Sequence, residues 1–226
     1  MDTPIYINMK YYFNRVFSVL RLLLPVLLFS CNGLPTEKPD LTPPPAVPPT
    51  VPPVRPLPPD EIMGKGLVTK DKLVDFLLLA NANADPAFVK TLAGYYIEES
   101  AAEGVNHDVA FSQMCLETGS LRYGGLVTPD MHNFCGLGST GAPGPNGPER
   151  GNVFPDPRTG VRAHVQHLKA YATKEPLNQE LVDPRYSYVR LGIAPTIQGL
   201  AGRWAMDPHY SKKLVAILNQ LYEFSF

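Results

Sequence analysis

The chain has 226 residues, 25 prolines and a formal net charge of −1. So even a balance supplies no general basic field, which excludes a phosphate-driven nucleic-acid binder. About half of residues 35–59 are proline against a usual ~5%, which excludes that stretch from any core and leaves enough chain for one hydrophobic core but not two.

In chain order, residues 9–31 read as a secretory signal: Lys10 and Arg15, an apolar run interrupted by Arg21 and Pro25, then Ser30-Cys31. The run is shorter than the ~20 apolar residues of a membrane-spanning helix. Its end, Leu28-Phe29-Ser30-Cys31, resembles a bacterial lipobox. That implies lipidation of Cys31, export, and a lipid anchor in the bacterial cell envelope, on the periplasmic side or the cell surface. Residues 32–63 then read as a semi-rigid polyproline spacer rising ~3.1 Å per residue. The other use of such prolines is as a ligand for adaptor domains with aromatic grooves. The folded domain is expected over 64–226.

Within it, Leu73, Phe76, Leu77 and Ala80 have the spacing of an amphipathic helix over 68–80, with Thr69 and Lys72 as a partial capping signal. Val89, Leu92, Ala93, Tyr96 and Ile97 repeat the pattern over 88–103, and Gly104 stops it. Asn106 or Asp108 caps a third helix whose inward stripe runs Ala110, Met114, Glu117, so a charged group lands on an apolar face. Residues 119–160 change to glycine, proline, asparagine and aromatics without period, which predicts loops or a small hairpin above the helices. Helical pattern returns over 161–171, 196–204 and 210–221. The predicted fold class is α+β, mostly α-helical, with a small loop/hairpin lobe over a helical lobe.

Glu117 is the first candidate for chemistry. An apolar pocket raises a carboxyl pKa, and an acid still protonated near neutral pH can protonate the leaving oxygen of a glycosidic bond. The other reading is a helix-end glutamate in solvent. Cys115 and Cys135 allow either an export-dependent disulfide or a buried reduced pair. His164 and His167 lie three apart with no third ligand in view, which favours packing over a metal.

The string Ala110-Phe111-Ser112-Gln113-Met114-Cys115-Leu116-Glu117-Thr118-Gly119 resembles the helix A-x-x-x-x-x-x-E-[ST]-G that ends in the general acid of the glucosaminidase family of peptidoglycan hydrolases. Asn133-Phe134-Cys135-Gly136-Leu137 resembles that family's N-x-F-G-[IL] loop, residues 160–168 the helix after it, and Trp204-Ala205-Met206-Asp207-Pro208-His209-Tyr210 its [YW]-A-x-D-P-x-Y signature, all in the same order. The resemblance implies a lysozyme-like fold with a cleft. It implies cleavage of peptidoglycan between N-acetylglucosamine and N-acetylmuramic acid by a monomer without cofactor or metal. Glu117 and Tyr210 would be catalytic, and Tyr123, Asn133, Phe134, Trp204 and Asp207 would bind substrate. Tyr123, Phe134, Trp204 and Tyr210 would turn flat faces to the sugar rings while Asn133 bonds acetamido groups.

Glu149 stands where some members of the family carry a second glutamate on a hairpin. Its neighbours Pro148 and Arg150 depart from the family's threonine-glutamate-aromatic pattern. Asp156 or the substrate's own acetamido group could take that role. Two other classes compete: a wall-binding module without catalysis, and a cysteine amidase or peptidase using Cys115 with His132 or His164.

Overall fold

The computed structural model describes residues 55–144 and 147–226; the signal, Cys31 and most of the spacer lie outside them. The described chain is mostly helical with one small hairpin. The helices are α1 (Lys70–Ala80), α2 (Pro86–Glu103), α3 (His107–Thr118), α4 (Pro157–Ala172) and α5 (Tyr210–Ser225), with short 3-10 turns at Pro129–Met131, Tyr186–Tyr188 and Ile197–Leu200. Strands β1 (Pro143–Gly144) and β2 (Gly147–Pro148) pair antiparallel. Among the described residues no helix is long and apolar enough to cross a membrane.

Local chemistry accounts for where the helices begin. Thr69, Asp85, Asn106 and Asp156 each accept a hydrogen bond from a backbone N–H of the first turn, and Pro86 and Pro157 start α2 and α4 where no donor is needed. Pro157 explains why α4 begins four residues before the expected Val161. Gly104 and Gly119 close α2 and α3 in the left-handed conformation. The expected helix over 196–204 is instead the single turn Ile197–Leu200, after which Ala201 is extended and Gly202 has φ +71°. α5 runs on to Ser225 rather than stopping at Leu221.

α2 packs against α1, α3 and α4, and α5 closes the far side against α3. Leu73, Leu92, Tyr96, Phe111, Met114, Val165, Leu168 and Leu218 are fully buried between them. The fold begins earlier than expected: Ile62, within the residues expected as spacer, is fully buried. Its N–H donates to the Pro195 carbonyl, and its carbonyl accepts from Asn106 N–H. Asp108 is not the cap of α3. It is buried and accepts from the N–H groups of Leu67 and Val68 and from the Tyr222 hydroxyl, tying the entering chain to α5.

One glycine positions the loop that faces α3. A Cβ added at Gly160 would stand 1.8 Å from the His132 carbonyl oxygen. Only glycine lets the first turn of α4 approach the loop over 131–137 that closely.

Candidate active site

α3 leads to the site because its end is forced to turn. The Thr118 hydroxyl donates to the Met114 carbonyl and accepts from Leu121 N–H. Ser120, Leu121 and Tyr123 then take positive φ of 57°, 63° and 56°. Three non-glycine residues in that region store strain, a feature that concentrates at functional sites. The turn leaves Glu117 on the floor of a cleft of about 660 Å³. Tyr123, Leu126 and Val127 line one wall, Trp204, Ala205 and Met206 another, and Cys135, Gly136, Ser139 and Thr140 complete it. That is a volume suited to a small ligand or a segment of polymer.

Glu117 Oε1 accepts from Trp204 Nε1 at 2.9 Å and from the Tyr210 hydroxyl at 2.5 Å. Oε2 is left facing Gly136, where an added Cβ would stand 3.8 Å from it. The side chain is open to water along the cleft, yet protein crowds its other sides. Burial therefore pushes the carboxyl up, the hydrogen bonds from Tyr210 and Trp204 draw it down, and the net direction is above the ordinary glutamate range.

Trp204 is steered by an aromatic cluster, with its ring centroid 5.0 Å from His167, 5.5 Å from Tyr171 and 5.7 Å from His164. His167 is fixed in turn by Asp183 at 2.8 Å. Tyr123 is half-buried in the cleft wall, and burial pushes its phenol up to about 12. Glu117, Tyr123, Trp204 and Tyr210 are thus brought together.

Other expected residues stand elsewhere. Phe134 is fully buried and packs on Phe88 with ring centroids 6.5 Å apart, so it has no face to offer a sugar. Asn133 borders the cleft but spends its amide on the loop itself: Nδ2 donates to the carbonyls of Leu137 and Asn152, and Oδ1 accepts from the N–H groups of Cys135 and Leu137. Both donors and the acceptor are used, which leaves nothing for an acetamido group. Tyr210 is only 5% exposed, so it meets the site through its hydroxyl rather than its ring. Asp207 accepts from His209 N–H and Lys213 Nζ in the turn before α5, outside the cleft lining; the hydrogen bond from Lys213 holds its carboxyl below the ordinary range. Glu149 is exposed beside the hairpin, where the Thr140 hydroxyl donates to it at 2.5 Å. Asp156 caps α4.

Cys115 and Cys135 are free and buried. Burial pushes Cys115 up to about 12, and burial followed by the nearby Glu117 charge pushes Cys135 well up, so neither supplies a thiolate. His132 turns to the Phe154 carbonyl and His164 to Tyr96 and Gln113, which removes the base a cysteine amidase would need. Sequence reasoning missed Gln113, whose amide donates to the Tyr210 hydroxyl at 2.6 Å. Its position one helical turn before Glu117, on the same face, was the available signal. It missed Met206 as well, which is 87% exposed at the cleft lip and carries no periodic signal.

The family model described as glucosaminidase, mannosyl-glycoprotein endo-beta-N-acetylglucosaminidase, matches residues 93–223. An uncharacterized protein of Borreliella burgdorferi is 43% identical over 164 residues, covering 73% of this chain and 78% of its own. Among solved structures, S. aureus autolysin E in complex with the muropeptide NAM-L-Ala-D-iGlu is 13% identical, covers 74% of each chain and superposes with a TM-score of 0.46.

Proposed function

The chain belongs to the glucosaminidase (mannosyl-glycoprotein endo-beta-N-acetylglucosaminidase) family, and from that premise we propose that it hydrolyses peptidoglycan. The bond cut is the β-1,4 link between N-acetylglucosamine and N-acetylmuramic acid, and Glu117 is the general acid. The observation that carries this reading is the carboxyl of Glu117: one oxygen held by Tyr210 and Trp204, the other turned to the cleft, and a pKa raised by its surroundings.

In this mechanism the Glu117 Oε2–H bond breaks as its proton passes to the glycosidic oxygen. The C1–O bond breaks with its electron pair going to that oxygen, and positive charge develops on the sugar left behind. The new carboxylate is stabilised by the Tyr210 and Trp204 donors already in place, which need no reorganisation. Tyr123, Trp204 and Met206 supply apolar walls for the rings. The second group is either Glu149, which takes a proton from the water that attacks C1, or the substrate's own acetamido oxygen, which closes a ring by bonding to C1 until water opens that ring and gives its proton to the Glu117 carboxylate. Glu149 is exposed and outside the cleft lining, which favours the acetamido route. Retained activity in Glu149→Gln would support that route, and a loss as deep as that of Glu117→Gln would assign Glu149 the role.

Purified protein should release new reducing ends from cell-wall sacculi, with N-acetylglucosamine at those ends. Glu117→Gln should lose on the order of 10²–10⁴-fold of that activity, the usual range for a general acid. Equal activity in that variant would remove Glu117 from the mechanism, and sacculus binding without cleavage would identify a wall-binding module. Export and attachment through a lipid on Cys31, with the proline stretch as spacer, complete the proposal. Radiolabelled palmitate incorporated by the wild type and not by Cys31→Ala checks the anchor.

A further inference from the structure

Behind the Glu117 carboxyl runs a line of buried polar groups. The Tyr96 hydroxyl lies 2.9 Å from His164 Nδ1, His164 Nε2 lies 3.0 Å from Gln113 Oε1, Gln113 Nε2 lies 2.6 Å from the Tyr210 hydroxyl, and that hydroxyl lies 2.5 Å from Glu117 Oε1. Tyr96, Gln113 and His164 are fully buried in a core that aliphatic side chains could have filled. α2, α3, α4 and α5 each contribute to it, so the line joins four of the five helices.

The chemistry of each group settles where every proton sits. Tyr210 has one hydrogen, and the Gln113 amide nitrogen beside it can only donate, so Tyr210 accepts from Gln113 and donates to Glu117. Gln113 therefore turns its carbonyl to His164, which must carry its hydrogen on Nε2. Burial holds His164 down to about 3, so it is neutral and has no second ring hydrogen. Its Nδ1 accepts from Tyr96. All the donors point one way, toward Glu117 Oε1, and reversing any link would strand a buried group at each end.

We propose that Tyr96, His164 and Gln113 are positioning residues that, acting through Tyr210, keep Glu117 Oε1 as the acceptor oxygen and leave Oε2 to carry the proton given to the substrate. This rests on Glu117 being the general acid. Oε1 already takes two donors, from Tyr210 and Trp204, and has no lone pair in the plane left for a proton. Oε2 faces Gly136 and the cleft. When the Oε2–H bond breaks, the aligned dipoles stabilise the carboxylate that forms, so one arrangement serves both to aim the acid and to accept its charge.

Several other ionisable groups stand near Glu117 and have to be told apart from it. These are Tyr210 from α5, Cys115 on α3 itself, Cys135 and Tyr123 from the loops, His164 and the His167–Asp183 pair from α4 and its neighbouring loop, and Glu149 beside Thr140 of the cleft wall. A direct titration of the Glu117 carboxyl by ¹³C NMR in the intact protein separates it from all of these.

The test uses Gln113→Met, which keeps the side chain's length and removes its hydrogen bonds, and Tyr96→Phe, which removes only the first donor. Both are followed by thermal melt, by kcat and KM on sacculi, and by the Glu117 titration. Expected for Gln113→Met are a kcat loss on the order of tenfold or more, an unchanged KM, and a Glu117 midpoint moved up, with the alkaline limb of kcat following it. Tyr96→Phe should move the midpoint the same way by less. A midpoint that stays at the wild-type value in either folded variant overturns the relay, because a merely structural role would lower the melt without touching it. If wild type leaves sacculi uncut, the hydrolase reading fails, and the carboxyl titration still reports on the relay.

Discussion

At Glu117 the exchange of one oxygen for an amide separates proton donation from folding. Its folded pKa is raised, so folding favours the protonated form. That contribution is present below the ordinary glutamate range and is lost as pH rises through the raised folded value. As pH rises through the raised folded value the carboxylate that forms weakens the fold, and Glu117→Gln, whose Oε1 still accepts from Tyr210 and Trp204, should melt no lower than wild type while losing activity. Melts of both proteins across a pH series check this, the gap opening as pH rises. The same residue scale distinguishes two aromatics. Phe134→Ala should cost about 3–5 kcal/mol of stability by urea unfolding, because the ring is fully buried. Trp204→Phe, which keeps an aromatic ring against His167 and Tyr171, should fold nearly as well and lose kcat on the order of 10²–10³-fold, since it removes a donor to Glu117. Both rings sit in recognisable motifs, and nothing in either motif says which way its ring turns. Sequence alone treated them alike.

The elements are held by polar pairs as well as by the core. Glu103 and Lys169, from α2 and α4, form a buried ion pair at 2.9 Å, and Glu103 also accepts from the N–H groups of Asn178 and Gln179. Glu103→Leu strands the ammonium and those donors, and should cost about 3–5 kcal/mol, read as a fall in the urea midpoint. Beside it, burial pushes the Glu99 carboxyl up, but hydrogen bonds from Arg162, Gln179 and Arg158 outweigh it and hold the pKa below its ordinary value. A depressed folded pKa stabilises above the ordinary glutamate range and ceases to as pH falls through the folded value. Arg162→Gln should therefore be less stable than wild type at neutral pH, with the difference shrinking on acidification. Helix spans were legible because caps and periodicity are properties of neighbouring residues. The expected helix over 196–204 stops after one turn because Ala201 is extended and Gly202 takes φ +71°; Gly199 lets that turn close on its neighbour, since an added Cβ there would stand 2.9 Å from Ala194 Cβ.

At the scale of the whole molecule the first described residues belong to the fold. Ile62 is buried, and Ile197 N–H donates to the Asp60 carbonyl at 2.8 Å. A chain beginning at Gly64 should unfold at lower urea than one beginning at Arg55, by about 2–3 kcal/mol for the lost side chain alone. Composition placed the end of the spacer a few residues late because prolines mark where folding fails, whereas a single isoleucine reaching a core leaves no pattern. The amino-acid sequence by itself determined helices α1 to α5 in outline, the glycine stop of α2, the irregular lobe and the glutamate at the end of α3, because those depend on bonds between residues a few positions apart. Only the tertiary structure decided which aromatics face the cleft, that Asn133 serves its own loop, and that Glu117 is reached by Trp204, Tyr210, Gln113 and His164. Those links join residues 51 to 97 positions apart, and the side-chain orientations that make them are set only when four helices pack together.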